Sequence, residues 1–443
     1  MFASQDLQAK EMKKIVLFII IIFFIIPRQS IASHAAGMDI SYQCISQGSS
    51  SDTYAVTVKF YRDCGGISAP WSLFLNYSSS CGSGSINLNR VGGGVNINPT
   101  CLTFCNGGST LGIEEYTYTG NITLSHCSNW VLSVCEYARN AAINTIQNPG
   151  GQDLCVQATL NNTVYCNNSP TFSQYPTPFI CASNYYCYNN GALENDGDSL
   201  VYSLITPLNS PNGGTVSYNA PYSPTNPVGG GSSFDQVTGN LCVTPPGVIS
   251  GVLAIQVSEY RNGVLIGSII RDIQINVFSC AGSGGPSLSG INSSSVVDIT
   301  NSSTYIYDLL CTDGTQNINF DINTINTSNN VMMNWNNGIP MASFTISNNN
   351  TTNPVGTFNW TPTLADTAGS PYFFTVNVQD DACPAPQNFS FQYQVNVTGG
   401  VTPIFTQVGP YCEGAAIPPL PTMSTNGISG TWSPAINNTT TTT

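Results

Sequence analysis

Apolar and polar residues alternate along most of this chain with a period of two. Tyr54, Val56, Val58 and Phe60 interleave with Ala55, Thr57, Lys59 and Tyr61. Leu253, Ile255 and Val257 interleave with Ala254, Gln256 and Ser258. The same holds for Ile273, Ile275 and Val277, and for Phe391, Tyr393, Val395 and Val397. A period of two puts one set of side chains on a buried face and the other in solvent, so these segments predict half-buried antiparallel strands. Between them lie clusters of Gly, Asn, Pro and Ser, such as residues 209–214 and 224–233, which predict turns. Helix should be nearly absent. Short strands with regular turns predict an all-β chain of sandwiches.

Two stretches read as one module repeated. Leu200-Val-Tyr-Ser-Leu204 matches Ile318-Asn-Phe-Asp-Ile322, Gly239-Asn-Leu-Cys-Val-Thr-Pro245 matches Gly356-Thr-Phe-Asn-Trp-Thr-Pro362, and the strand from Leu253 matches that from Phe374, at offsets of 118, 117 and 121. A nearly constant offset predicts equivalent strands with loop insertions. The expected organisation is a signal segment over 1–32, a Cys-rich N-terminal β domain over 33–175, a sandwich over 176–280, a second over 286–398, and the truncated start of a further module over 401–443. Ala281-Gly-Ser-Gly-Gly-Pro286 is the expected linker between the two sandwiches. Residues 401–443 are too few for a sandwich of roughly 100 residues, which predicts that the chain is a piece of a longer array.

The N-terminus changes the compartment. Lys13 and Lys14 precede an uncharged apolar run over 15–26, followed by Pro27 and the small residues Ser30 and Ala32. That order is the grammar of a secretory signal, with cleavage expected after Ala32. A twelve-residue helix spans ~18 Å, too short for a ~30 Å hydrocarbon core, so no membrane span is expected. In an exported chain the 16 cysteines read as disulfides. Eleven of them fall between Cys44 and Cys187. Spacing does not give their connectivity; Cys311 with Cys383, which bracket one module, is the expected pair.

Composition removes several function classes. Charged residues make up 7% of the chain, and the formal net charge is −13 with no basic cluster, which speaks against nucleic-acid binding. Two histidines, His34 and His126, leave little material for zinc sites or His-based proton transfer. Glu114 and Glu115 are adjacent on an expected strand, point to opposite faces, and cannot flank one glycosidic bond. No Gly-x-Ser-x-Gly stands at a strand-to-helix turn. The chain reads as a non-enzyme.

One constellation carries candidate chemistry. Glu194, Asp196 and Asp198 crowd a five-residue stretch with Gly197. Calcium takes closely spaced carboxylate and carbonyl oxygens on such a loop. Glu259 shares parity with Leu253, Ile255 and Val257, so it should point inward, where an unpaired carboxylate is costly. These four residues are the expected calcium ligands; the competing reading is a plain Asp-Gly turn. Asp380 repeats the Glu259 position, Asp272 is a weaker candidate, and the second module keeps Asp313-Gly314 without a dense cluster. Trp71, Trp130, Tyr185, Tyr186 and Tyr188 are aromatics that either stack on sugar rings or pack internally.

Asp196-Gly-Asp-Ser-Leu-Val-Tyr-Ser-Leu, the Gly-x-x-x-x-Thr-Pro segment and a strand ending in an acid together resemble the cadherin-like, immunoglobulin-type sandwich. A second set resembles the large gliding-motility-associated surface proteins of the Bacteroidetes: Ser33-His-Ala-Ala-Gly-Met-Asp-Ile-Ser-Tyr, Phe60-Tyr-Arg-Asp-Cys, Gly112-Ile-Glu-Glu-Tyr116, Arg139-Asn-Ala-Ala142, Ser258-Glu-Tyr-Arg-Asn-Gly-Val-Leu-Ile-Gly267 and Tyr411-Cys-Glu-Gly-Ala-Ala-Ile-Pro-Pro-Leu-Pro. The resemblance spans nearly the whole expected mature chain. It implies an adhesin-like structural protein on the cell surface, outside the outer membrane, touching surface polysaccharide or other cell-surface proteins. It further implies type IX secretion, although the sorting domain usual in that family is not visible. A secreted carbohydrate-binding accessory of a polysaccharide-degrading system is the alternative.

Overall fold

The computed structural model describes residues 35–97, 103–172, 175–176, 179–280, 286–289, 291, 304–311, 315–325, 328–382, 387–400, 403–409, 411 and 415–431. The expected signal segment, most of the linker, and Asp313-Gly314 lie outside the described residues. So does Cys383, and with it the expected Cys311–Cys383 pair. The chain divides into two units, Met1–Gly284 with Asp381–Gln387, and Gly285–Asp380 with Asn388–Thr443. Among the described residues helix is confined to three 3-10 turns of three to six residues. No helix among them is long and apolar enough to cross a membrane.

The first unit opens with β1 (Ala35–Gln47), β2 (Ser51–Asp63), β3 (Ser72–Ser79), β4 (Gly82–Asn96), β5 (Ile113–Ser125), β6 (Trp130–Glu136) and β7 (Leu154–Leu160). Short strands follow: β8 (Thr171–Phe172), β9 (Phe179–Cys181), β10 (Tyr186–Asn189) and β11 (Ala192–Leu193). Then come β12 (Ser199–Ile205), β13 (Ser232–Phe234), β14 (Asn240–Val243), β15 (Ile249–Arg261) and β16 (Val264–Phe278). Neighbouring strands run β1-β2-β5-β4-β3-β6-β7-β16-β15-β12, and β16 also pairs with β1. Residues 267–269 of β16 pair with β7 and residues 271–273 pair with β1. Eight antiparallel strands thus form a closed circuit, which leaves them no open edge within it. The period-two residues line its interior: Tyr54, Val56 and Val58 of β2 lie opposite Ile122, Gly120 and Tyr118 of β5.

The strands between residues 179 and 278 also lie in two sheets. β9-β16-β15-β12 make one face, with β9 parallel to β16, and β10-β14-β13 make the other. That is the strand order of an immunoglobulin-like domain. The boundary expected at 175/176 nevertheless falls inside one unit, because β16 serves both the sandwich and the closed circuit. The reason is legible in β16 itself. Twelve consecutive residues, 266–277, are buried, so both faces of the strand are covered.

The second unit holds β17 (Ser287–Leu288), β18 (Thr304–Cys311), β19 (Ile318–Ile325), β20 (Val331–Trp335), β21 (Ser343–Ser347), β22 (Val355–Trp360), β23 (Tyr372–Asp380) and β24 (Asn388–Gly399). Its sheets run β17-β19-β22-β21 and β18-β24-β23-β20, with β18 parallel to β24. This is again the immunoglobulin-like order, complete in both sheets. An aromatic stack fills the core: Phe320, Phe358, Phe374 and Tyr393 follow one another at 5.0, 4.6 and 5.1 Å. Two of the three repeat matches join equivalent strands, β14 with β22 and β15 with β23. The first does not. Leu200 lies on β12, which pairs with β15, whereas Ile318 lies on β19, which pairs with β22. A short alternating run fits any strand, so the offset alone misassigned it. Beyond residue 400 the described residues form no strand, only a Met423–Ser429 bridge.

Among the described residues six disulfides lace the first unit: Cys44–Cys166, Cys64–Cys105, Cys81–Cys127, Cys135–Cys155, Cys181–Cys280 and Cys187–Cys242. Cys135–Cys155 and Cys187–Cys242 each join directly opposed residues of paired strands. Thiol titration of the denatured, unreduced protein should therefore find no more than four reactive thiols, from the cysteines outside these six bonds. Ten or more would mean the bonds do not form.

Candidate functional site

Glu194 follows β11, and Asp196 and Asp198 lie in the short loop that enters β12. The loop is built around one carboxylate. Glu194 accepts the backbone N–H of Asp196, Gly197 and Asp198 at 2.7, 2.6 and 2.7 Å. Asp196 turns outward instead and accepts the backbone and side-chain N–H of Asn168 at 2.9 and 2.8 Å. Asp198 takes two hydrogen bonds from Arg261, at 2.6 and 2.5 Å. Arg261 stacks on Tyr165 at 4.6 Å and donates to Asn167.

Glu259 points inward, as its parity predicts, and is fully buried. One oxygen accepts Asn167 Nδ2 at 2.6 Å; the other, Oε1, has no hydrogen-bond partner among the described residues. Oxygens of Glu194, Asp198 and Glu259 all lie within 4.8 Å of one another. Three of the four expected ligands converge, and Asp196 does not join them. The wall behind Glu259 comes from the N-terminal strands. Tyr42 of β1 donates to Thr159, and a Cβ at Gly267 would sit 2.5 Å from its hydroxyl and 3.3 Å from Glu259 Oε2. Only a glycine leaves that space. The Cys44–Cys166 bond holds Asn167 and Asn168 against β1, where Cys44 N–H also donates to Asn168.

Burial, opposed by the Asn167 hydrogen bond and reinforced by the Asp198 and Glu194 charges, pushes the Glu259 carboxyl up to about 8. An acid whose folded value lies above its ordinary 4.5 stabilises the fold in its protonated form. With no cation bound, the first unit should lose stability as pH rises from about 4.5 to about 8, by at most ~1.4 kcal/mol per pH unit from this group. Glu259→Gln should flatten that part of the profile. Chemical unfolding at several pH values checks it; an unchanged slope in the variant would place the titration elsewhere.

The donor set is all hard oxygen, which suits calcium, and the orphaned Glu259 Oε1 has the geometry of an open ligand position. The three carboxylates reach only part of the ~6–8 oxygens calcium takes. Waters and Asp196 would have to complete the shell, and Arg261 would have to share Asp198. Asp380 repeats the Glu259 position, is buried at the end of β23 and accepts Asn329 Nδ2 at 3.4 Å. Asp272 is not part of any such cluster. It is fully buried and bound by both Arg139 Nη atoms at 2.9 and 2.6 Å. Its neighbour Arg271 reaches Asp39 at 2.8 Å and stacks over Phe172 at 4.0 Å. Sequence reading missed these two pairs and the Arg261 clamp. The available signal was the adjacent Arg271-Asp272 inside an otherwise uncharged strand. Of the singled-out aromatics, Trp130, Tyr186 and Tyr188 are buried, whereas Trp71 and Tyr185 are exposed.

No family model and no curated protein sequence matches the chain. Among solved structures, the I9–I11 tandem of titin covers 79% of this chain and 94% of its own, at 5% identity and a TM-score of 0.15. Zebrafish RET cadherin-like domains 1 to 4 cover 53% of this chain and 50% of their own, at 14% identity and a TM-score of 0.19. The N-terminal four Ig domains of Dscam1 isoform 8.4 cover 57% and 56%, at 12% identity and a TM-score of 0.17. At these scores the immunoglobulin-like assignment rests on the strand order given above.

Proposed function

We propose that this chain is an exported structural protein that works by adhesion at the outer cell surface, in contact with other surface proteins or surface polysaccharide. The observation that carries the reading is the build of the first unit. Six disulfides cross-link immunoglobulin-like and closed-circuit strands, which suits an oxidising exterior. Motifs such as Arg139-Asn-Ala-Ala142, which resemble gliding-motility surface proteins, support a role in that process. The direct test is labelling of intact producing cells with an antibody against the chain. Signal without permeabilisation is expected; signal only after lysis would overturn the reading.

The 194–198 pole is read as a calcium site held by Glu194, Asp198 and Glu259. The full chain is the proper sample, since β16 is shared. Excess calcium should raise the melting temperature, by an amount equivalent to ~2.7 kcal/mol at a hundredfold excess over Kd. Chelator should reverse it, and Asp198→Asn with Glu259→Gln should abolish the response. Identical melting curves with chelator and calcium would reduce the cluster to a turn.

A further inference from the structure

Beyond the predicted signal segment the chain carries six cations, and five of them are neutralised by a carboxylate. Lys59 pairs with Glu115, Arg62 with Glu114, Arg139 with Asp272, Arg261 with Asp198 and Arg271 with Asp39. Arg90 is the exception. It has no ion pair and no side-chain acceptor among the described residues. Its guanidinium lies instead between two rings, 4.0 Å from Trp71 and 5.3 Å from Tyr116.

The surroundings keep this cation open. Arg90 shares the parity of Ile86 and Leu88, lies opposite Tyr118 next to the first pair of the β4–β5 ladder, and is half-buried. Trp71 is 80% exposed, an unusual cost for so large a ring. Its backbone carbonyl accepts the Arg90 N–H at 3.1 Å, which fixes the two together. Beyond Arg90 the β4–β5 register jumps from Val91 to Val95. The bulge is Gly92-Gly93-Gly94, and a Cβ at Gly94 would fall 2.5 Å from the Tyr116 ring. Gly94 thus lets the Tyr116 ring lie against the backbone, while Gly92 and Gly93 are exposed with open space around them.

We propose that Trp71, Arg90 and Tyr116 form a binding site for a carboxylated sugar, the uronate unit of an acidic polysaccharide. An exposed indole face stacks on the apolar face of a pyranose ring. A guanidinium pinned between rings keeps its outer edge of N–H donors free, and that fork matches a carboxylate bidentately. The rest of the chain is strongly acidic, so an anionic sugar meets attraction at this one unneutralised cation and repulsion elsewhere. This inference deepens the surface-adhesion reading and names its ligand class.

The test is calorimetric titration of the full chain with trigalacturonic acid, its methyl ester and maltotriose. The acid should bind and shift tryptophan emission, and the ester and maltotriose should bind at least tenfold more weakly. Trp71→Ala and Arg90→Gln should each weaken binding at least tenfold, and Arg90→Lys should fall between. Wild-type melting temperatures for the variants confirm that they fold; if Arg90→Gln does not, the exposed Trp71→Ala decides. No uronate binding, equal binding of acid and ester, or a preference for a sulfated glycan or a peptide carboxylate would overturn the proposal. Cell-surface labelling is independent of all these outcomes, so a surface protein without this site remains distinguishable.

Discussion

Arg139→Leu should destabilise the first unit by about 3–5 kcal/mol, the largest effect expected of any single change. Arg139 and Asp272 are both essentially inaccessible, at 1% and 0% exposure. Two parallel hydrogen bonds join them, and Arg139 also donates to the Leu208 carbonyl at 2.8 Å. Burial already pushes the Asp272 carboxyl up, and Arg139 opposes that shift. Removing the guanidinium leaves a carboxylate without water or partner, so the cost is desolvation of a bare charge rather than loss of one contact. The double variant Arg139→Leu with Asp272→Leu should recover most of the loss, since a well-packed apolar pair often matches a buried ion pair. Denaturant unfolding of wild type, both singles and the double closes the cycle. A single-variant loss below ~1 kcal/mol would mean that water reaches the pair.

Replacing Cys44 and Cys166 by Ala should cost about 2–4 kcal/mol and damage the acidic pole as well. This bond closes the longest interval of the six, 122 residues, and so restricts the unfolded chain most. Three shorter disulfides lie inside that interval, which trims the entropic gain. The local consequence is separate. Asn167 and Asn168 directly follow Cys166 and hold Glu259 and Asp196. Loosening them should weaken any calcium response along with stability. Unfolding midpoints and calcium-dependent melting of the double variant check both parts. Full retention of the calcium response would show that hydrogen bonds, such as those of Ser169 with Tyr42 and of the residue-44 N–H with Asn168, keep this segment in place without the disulfide.

The pairing of Glu259 with the loop acids shows how far a sequence reaches. Parity put its side chain inside, because strand geometry is local and repeats every two residues. Clustering put Glu194, Asp196 and Asp198 on one loop. Neither rule could show that Asp196 would turn to Asn168, or that Arg261 would take Asp198. Those partners come from other segments, Arg261 from the end of β15 and Asn168 from the β7–β8 loop, 28 residues from Asp196.

The sequence by itself determined the all-β class, the scarcity of helix, the immunoglobulin-like sandwich build and the inward aim of Glu259. Each follows from local alternation and turn chemistry, which are properties of neighbouring residues. Only the tertiary structure decided that β16 belongs to two sheets at once, that Leu200 and Ile318 are not equivalent, and that Arg271 meets Asp39 of β1 while Asp272 meets Arg139 of the β6–β7 loop. It also left Arg90 as the one cation without an ion pair among the described residues. These are matters of register and closure between distant segments, and an alternating strand carries no mark of which partner it will meet.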